Sequence, residues 1–304
     1  MCEIIFCDSG IAVNQTDYIQ TYDVGYGTYD THGHGSSLTK LVHSINNNIK
    51  LSSIRVLDEK NEGSLEGLIL ALEKCLELDA KVICLALSID QSITENDDLE
   101  EMIKDVYKSG KIVVAALQNR ADYSIPAGFK EVIGVKTCMI EEVQTVLWQL
   151  GEKIQCTLPM EDFFWKSLGE EYVRLGGNSV ACAFMAEHVA RLLNEDAGLS
   201  FEEIGNILSK QRVTDLNYYD LFNSGNRDCE EETMIEDVVR EVDKDFGIDD
   251  SDDLIISKMT SFKQFKDYIK ELERRGLEIN RRSLIRKRNV FDVDSLVGYL
   301  AYQK

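Results

Sequence analysis

Proline is nearly absent from this chain, since only Pro126 and Pro159 occur among 304 residues. Neither proline lies where a linker between domains would be sought. Long apolar runs are also missing, and none approaches the roughly 18 apolar residues of a membrane-spanning helix. The N-terminal residues 1–10 have neither the basic start nor the apolar run of a signal peptide. We therefore expect a cytoplasmic protein without a membrane segment.

The eight cysteines form no CxxC pair. Several of them, including Cys7, Cys84 and Cys182, lie inside apolar runs, which is typical of small buried side chains in a reducing compartment. This pattern argues against a disulfide framework and against a structural zinc site. His32 and His34 are two positions apart, but no third ligand stands at a supporting spacing, so we expect no metal.

Positive charge is scarce: 33 Lys and Arg face 54 Asp and Glu, which gives a formal net charge of −21. Nucleic acids and anionic membrane surfaces are themselves negatively charged, so neither is expected as the main partner. A chain of 304 residues is long enough for about two domains, at least one of them with a large core.

The first half of the chain alternates short apolar runs with amphipathic stretches of helical spacing. The apolar runs are 3–7, 54–57, 82–87, 112–116 and 132–135. Such alternation predicts an α/β fold with a mostly parallel sheet and helices on both faces. In sheets of this kind, functional residues collect just beyond the carboxyl ends of the strands.

Four polar residues stand at positions where such a fold places chemistry. Asp8 ends the first predicted strand, Asn119 follows a later one, His34 opens a helix, and Ser179 opens another helix after the glycines at 176–177. Each has an ordinary alternative, because Asp and Asn are common in turns and serine is a common helix N-cap. A serine at a helix N-terminus can equally be a nucleophile whose oxyanion is stabilised there.

The order Asp, His, Ser is that of subtilisin among triad proteases. Four segments resemble, in order, the aspartate, histidine, oxyanion and serine motifs of the subtilase family: Ile4-Ile5-Phe6-Cys7-Asp8-Ser9-Gly10, Gly33-His34-Gly35-Ser36, Ala115-Ala116-Leu117-Gln118-Asn119 and Gly177-Asn178-Ser179-Val180-Ala181. The resemblance covers about residues 1–195. It implies a subtilisin-like fold and serine endopeptidase activity that needs no cofactor.

The resemblance also implies a role for each residue. Ser179 would be the nucleophile, His34 the general base and Asp8 the group that orients His34, while Asn119 would help to form the oxyanion hole. The segment Leu85-Ala86-Leu87-Ser88 would form an edge on which an extended peptide pairs by strand addition.

The chain departs from the family motifs at several positions. Asn178 stands where threonine is usual, Val180 replaces methionine and Ala183 replaces proline. Gln118 stands where glycine usually precedes the oxyanion asparagine, so its side chain could crowd the site. None of these changes removes a predicted catalytic group, but together they leave open an enzyme with impaired turnover.

The composition changes after about Leu193. We expect a protease domain at 1–210, a linker or docking segment at 211–228, and a small all-α bundle at 229–304. The order of the predicted helices in the last segment resembles an acyl or peptidyl carrier protein.

In that family, the serine that opens the second helix carries 4'-phosphopantetheine. Ser261 stands at this position, although the usual preceding aspartate is absent. Asp294-Ser295-Leu296 has the usual residues, but too few residues follow it to complete a bundle. A carrier-like bundle that serves only for docking stays open as the alternative.

We expect the protein to be an intracellular endopeptidase that matures a ribosomally made precursor peptide by removing its leader. Its partners would be that peptide and biosynthetic enzymes that bind the carrier-like domain. Two other functions stay open: a binding protein that keeps the fold without useful turnover, and a transpeptidase or macrocyclase that uses the same acyl-enzyme. The fusion to a biosynthetic type of domain is the only support for the maturation role.

Overall fold

The computed structural model describes residues 2–15, 19–89, 97–138, 147–149, 152–159, 162–166, 168, 172–210, 229–248, 261–279, 285–286, 296–297 and 300. The predicted linker 211–228 lies outside the described residues. The chain divides into two compact units, Met1–Met160 with Gly176–Leu216 and Glu161–Leu175 with Asn217–Lys304. The segment 161–175, which we expected in the first domain, therefore groups with the C-terminal part.

The first unit contains an eight-stranded sheet in the order β2-β3-β1-β4-β5-β6-β8-β7. Its strands are β1 (Glu3–Asp8), β2 (Ile19–Tyr22), β3 (Lys50–Arg55), β4 (Val82–Leu85), β5 (Ile112–Ala116), β6 (Val132–Cys138), β7 (Leu147–Trp148) and β8 (Cys156–Pro159). Every pairing is parallel except that of β7 with β8. The prediction of a mostly parallel sheet is confirmed.

Among the described residues, this unit has the α-helices α1 (His34–Ile45), α2 (Leu65–Glu77), α3 (Asp97–Lys108), α4 (Asn178–Glu195) and α5 (Phe201–Lys210). Successive side chains of a strand point to opposite faces of the sheet. Along β4, Ile83 and Leu85 pack in a core cluster with residues of α2 and α3. Between them, the thiol of Cys84 lies 3.7 Å from that of Cys182 on α4. Helices therefore cover both faces of the sheet, as predicted.

Helix α4 is buried on almost every side. From Val180 to Ala190 every residue is buried, which confirms the sequence-based expectation of an interior helix. It contacts β1, β4, β5 and β6. Among the described residues, no helix is both long enough and apolar enough to cross a membrane.

The second unit is not all-α, which corrects the expected bundle. Its described helices include α6 (Cys229–Asp245) and α7 (Phe262–Arg274), and they accompany a sheet in the order β10-β9-β11. The strands are β9 (Asp162–Lys166), β10 (Tyr172–Gly176) and β11 (Ile285–Arg286). The periodicity after Cys229 predicted helices correctly, but it could not show that a strand from 162–166 joins them.

The core of the second unit shows why this strand matters. Phe164 of β9 lies against Phe265 of α7, with their ring centroids 4.0 Å apart. Behind them, Tyr268 is fully buried and donates a hydrogen bond to Asp243 of α6 at 2.7 Å. The described core of this unit is therefore built from strand and helix together.

Candidate active site

Asp8 and His34 meet where the end of β1 faces the start of α1. The Nδ1 atom of His34 lies 2.8 Å from Oδ1 of Asp8, and the two side chains are 15% and 1% exposed. The same Oδ1 accepts a hydrogen bond from the backbone N–H of Ser9 at 2.8 Å. A Cβ atom on Gly35 would lie 2.6 Å from the carbonyl oxygen of Gly10, so only glycine lets α1 begin so close to β1.

A second carboxylate, Asp30, holds the start of α1. Its Oδ1 accepts from the backbone N–H groups of His32 and Gly33 at 2.9 and 2.6 Å. Its Oδ2 accepts from the N–H and the hydroxyl of Ser36 at 2.9 and 2.5 Å. Gly33, the N-cap, has no side chain to offer, so Asp30 satisfies helix donors in its place. Sequence reasoning missed Asp30, although its position four residues before His34 was visible.

The environment of His34 shifts its pKa in two directions. Burial of the ring lowers the pKa, but the charge of Asp8 and the hydrogen bond to it raise it, and the charge of Asp30 adds to this. The result is a pKa above the ordinary value of 6.5. The protonated imidazole is therefore stabilised at this site.

Ser179 lies in the first turn of α4. Gly177, which precedes this helix, has a φ of 71°, a value that residues other than glycine rarely adopt. The Ser179 hydroxyl donates to the carbonyl oxygen of Ala86, at 3.3 Å, just beyond the end of β4. Strands β1 and β4 are neighbours, and Phe6 pairs with Cys84. Asp8 and Ala86 each lie two residues beyond this pair, so they are at the same edge of the sheet.

The serine is thus at the same edge of the sheet as Asp8 and His34. Among the described contacts, its hydroxyl bonds to Ala86 and not to His34. The structure brings Asp8 and His34 into direct contact, and it places Ser179 at the same sheet edge with its described hydrogen bond to Ala86.

Asn119 follows the neighbouring strand β5 and is exposed. Its Oδ1 lies 3.3 Å from the position that a Cβ atom on Gly177 would take. The Asn119 carboxamide therefore lies beside the start of α4, next to the residue pair that leads into Ser179. Gln118, the position that we expected to crowd the site, is exposed and donates its backbone N–H to the Ser124 hydroxyl at 2.9 Å.

The predicted substrate edge is shorter than expected. Leu85 is fully buried and pairs with Ala115 inside the sheet, so it is not an edge residue. Ala86, Leu87 and Ser88 lie beyond the paired strand, and the last two are half-buried.

Ser261 is the N-cap of α7 in the second unit. Its hydroxyl oxygen accepts the backbone N–H of Gln264 at 3.2 Å, and the residue is exposed. This is the capping role that serine often has, and the predicted phosphopantetheine attachment stays a prediction. The described residues contain no cluster of three His, Cys, Asp or Glu side chains that could hold a metal ion.

The sequence model of the Subtilase family matches residues 8–223, which is most of the chain. The chain belongs to the subtilase family. The matched region includes Asp8, His34, Asn119 and Ser179. Membership makes this chain a serine protease of the subtilisin-like type, as the four motifs predicted.

Comparison with solved structures agrees with the subtilase fold. A cold adapted subtilisin-like serine proteinase matches with a TM-score of 0.56 and 18% identity, over 71% of this chain and 85% of that one. At this identity the likeness concerns the fold alone. A search of curated protein sequences gave no match.

Proposed function

We propose that Asp8, His34 and Ser179 form the catalytic triad of an endopeptidase that works through an acyl-enzyme. The observation that carries this proposal is the 2.8 Å contact between His34 Nδ1 and the buried carboxylate of Asp8. With Nδ1 bonded to Asp8, the other ring nitrogen is left to accept a proton from a serine. Ser179 lies at the same sheet edge, which is the arrangement that triad chemistry needs.

The first half of the reaction begins when the Ser179 hydroxyl leaves the carbonyl of Ala86 and turns to His34. His34 takes the hydroxyl proton at Nε2 while Ser179 Oγ attacks the carbonyl carbon of the peptide. The resulting imidazolium is stabilised by Asp8, in keeping with the raised pKa of His34. The oxyanion accepts hydrogen bonds from the Asn119 side-chain amide and the Ser179 N–H.

In the second half, the protonated His34 donates its proton to the leaving amine, and the C–N bond breaks. The acyl group stays on Ser179 Oγ. A water molecule then gives a proton to His34 and attacks the acyl carbon, and His34 passes that proton to Ser179 Oγ as the acyl C–O bond breaks, which releases the acid and restores the serine. An extended peptide is positioned by backbone pairing with residues 86–88.

We further propose that the substrate is a ribosomally made precursor peptide in the cytoplasm. The described cysteines Cys2, Cys7, Cys75, Cys84, Cys156 and Cys182 are all free and buried, which fits a reducing compartment. The chain also has a second compact unit, to which we assign the binding of partner proteins.

The experiment is labelling of the folded protein with a fluorophosphonate, together with cleavage of candidate peptides. The wild type should be labelled at one serine and Ser179→Ala should not. Equal labelling of the mutant would refute the proposal. A folded wild type that fails to react would instead favour a protein that binds peptides without turnover.

Mass spectrometry of the products separates hydrolysis from ligation by the same acyl-enzyme. Hydrolysis adds one water across the cleaved bond, whereas attack by an amine of the peptide gives a macrocycle without that water. For Ser261, expression with a phosphopantetheinyl transferase and measurement of the intact mass tests the modification, with Ser261→Ala as the control.

A further inference from the structure

Asn178 departs from the usual threonine of the family motif, and its side chain has an unusual place in the sheet. The residue is buried and immediately precedes Ser179. Its Nδ2 donates to the carbonyl oxygen of Leu117 at 2.8 Å. Its Oδ1 accepts from both the backbone N–H and the hydroxyl of Thr137, at 2.8 and 2.9 Å.

The Leu117 carbonyl and the Thr137 N–H are the acceptor and the donor of a backbone hydrogen bond that a regular β5–β6 ladder would contain. In a parallel ladder, the N–H and C=O of one residue bond to residues two positions apart on the neighbouring strand. The N–H of Leu117 donates to the carbonyl oxygen of Val135 at 2.8 Å. The regular partner of the Leu117 carbonyl would therefore be the N–H of Thr137, and the carboxamide of Asn178 bonds to both.

The carboxamide thus acts as a peptide group inserted between two strands. A direct rung would bring the Leu117 oxygen and the Thr137 nitrogen to roughly 2.9 Å. With Asn178 between them, the strands are held apart by the width of an amide and two hydrogen bonds. A threonine hydroxyl can both donate and accept, but it is one bond closer to the backbone and lacks the width of a carboxamide, so it could not bond to both strands at this spacing.

The inserted amide is linked through short stretches of chain to both proposed partners of the oxyanion. Asn119 follows Leu117 by two residues, and Ser179 follows Asn178 directly. The Asn119 carboxamide already lies next to Gly177. We therefore expect a change in the Asn178 bridge to move the Asn119 amide relative to the Ser179 N–H.

We propose that Asn178 is a positioning residue that fixes the spacing of the oxyanion hole by bridging the ends of β5 and β6. The inference rests on the proposed roles of Ser179 and Asn119. The Asn178 carboxamide bonds to Leu117 and Thr137, so it acts through the segment that carries Asn119.

A double-mutant cycle in kcat tests this action. Asn119→Ala should lower kcat by on the order of 10²–10³-fold. Asn178→Ala should lower kcat by roughly 10²-fold with KM nearly unchanged, because the donor is misplaced and not lost. In the Asn119→Ala background, the same Asn178→Ala change should lower kcat by less than about threefold. A full 10²-fold loss in both backgrounds would overturn the proposal.

Three single variants sharpen the result. Asn178→Asp keeps the acceptor for Thr137 but places an oxygen against the Leu117 carbonyl, so it should lose about as much kcat as Asn178→Ala. Asn178→Thr should also be impaired, and full activity of this variant would contradict the bridge. Thr137→Val is the matched control: it keeps the backbone N–H donor, so kcat should stay within about fivefold of wild type.

Hydrogen exchange tests the bridge without relying on turnover. In Asn178→Ala the Thr137 amide should exchange roughly tenfold faster, whereas in Thr137→Val the amide of residue 137 should stay protected. Unchanged exchange in Asn178→Ala would refute the bridge even if the protein proved inactive. Failure of the wild type to react with a fluorophosphonate would refute the proposed triad and leave the exchange result to decide the bridge.

Discussion

Replacing Asp30 by asparagine should weaken the start of α1 and lower the pKa of His34. Each carboxylate oxygen of Asp30 accepts two hydrogen bonds, from His32 and Gly33 on one side and from Ser36 on the other. Asparagine has one oxygen, so two of these donors would face an NH₂ group. The variant also removes a negative charge from the N-terminal end of a helix.

The expected loss of stability follows from these two changes. A buried donor without a partner costs about 1–3 kcal/mol, and the lost charge costs roughly 0.3–1 kcal/mol. With two such donors the sum is roughly 2–7 kcal/mol, which corresponds to a fall in Tm of roughly 5–25 °C for a unit of this size. Calorimetry or thermal unfolding followed by circular dichroism measures it.

The effect on catalysis has a definite sign. His34 must be neutral to act as a base, and the charge of Asp30 contributes to its raised pKa. In Asp30→Asn, the acid limb of the kcat/KM profile should therefore move to lower pH. Asp23→Asn is the matched control, because Asp23 is exposed and accepts from the N–H groups of Gly25 and Gly27. An acid limb that stays in place or moves to higher pH in Asp30→Asn would refute the reasoning.

Two further substitutions test other parts of the first unit. Gly35→Ala places a Cβ atom 2.6 Å from the Gly10 carbonyl oxygen, so α1 must shift away from β1. This shift displaces His34 and should lower kcat by about 10²-fold. Gly198→Ala is the control and should leave kcat unchanged. Burial, and secondly the charge of Arg191, lower the pKa of His188 to about 4. The neutral imidazole therefore contributes stability that is fully present above pH 6.5 and is lost as the pH falls towards 4. His188→Gln should remove on the order of 3 kcal/mol of that acid sensitivity, and an unchanged dependence of unfolding free energy on pH would contradict the assignment.

The part of the site that follows strand ends could be predicted from the sequence. Asp8 ends a buried strand and His34 opens a helix, and both are visible as local patterns. Since parallel strands end at one edge, these residues were expected to meet, and the contact between Asp8 and His34 agrees.

Other features depend on contacts between distant segments, which no local pattern shows. The Asn178 side chain bonds to Leu117 and Thr137, which are 61 and 41 residues away. From the sequence, Asn178 could be seen only as a departure from the family motif. In the second unit, Phe164 packs on a helix that begins almost one hundred residues later, so the helical periodicity gave no sign of the strand.

The most direct test of the proposed triad is to locate the fluorophosphonate adduct by peptide mapping and to compare labelling rates among variants. The adduct should lie on Ser179, and Asp8→Asn should slow labelling by up to about 10⁴-fold while the protein stays folded. An adduct on another serine, or equal labelling rates for wild type and folded Asp8→Asn, would contradict the proposed roles of Asp8, His34 and Ser179.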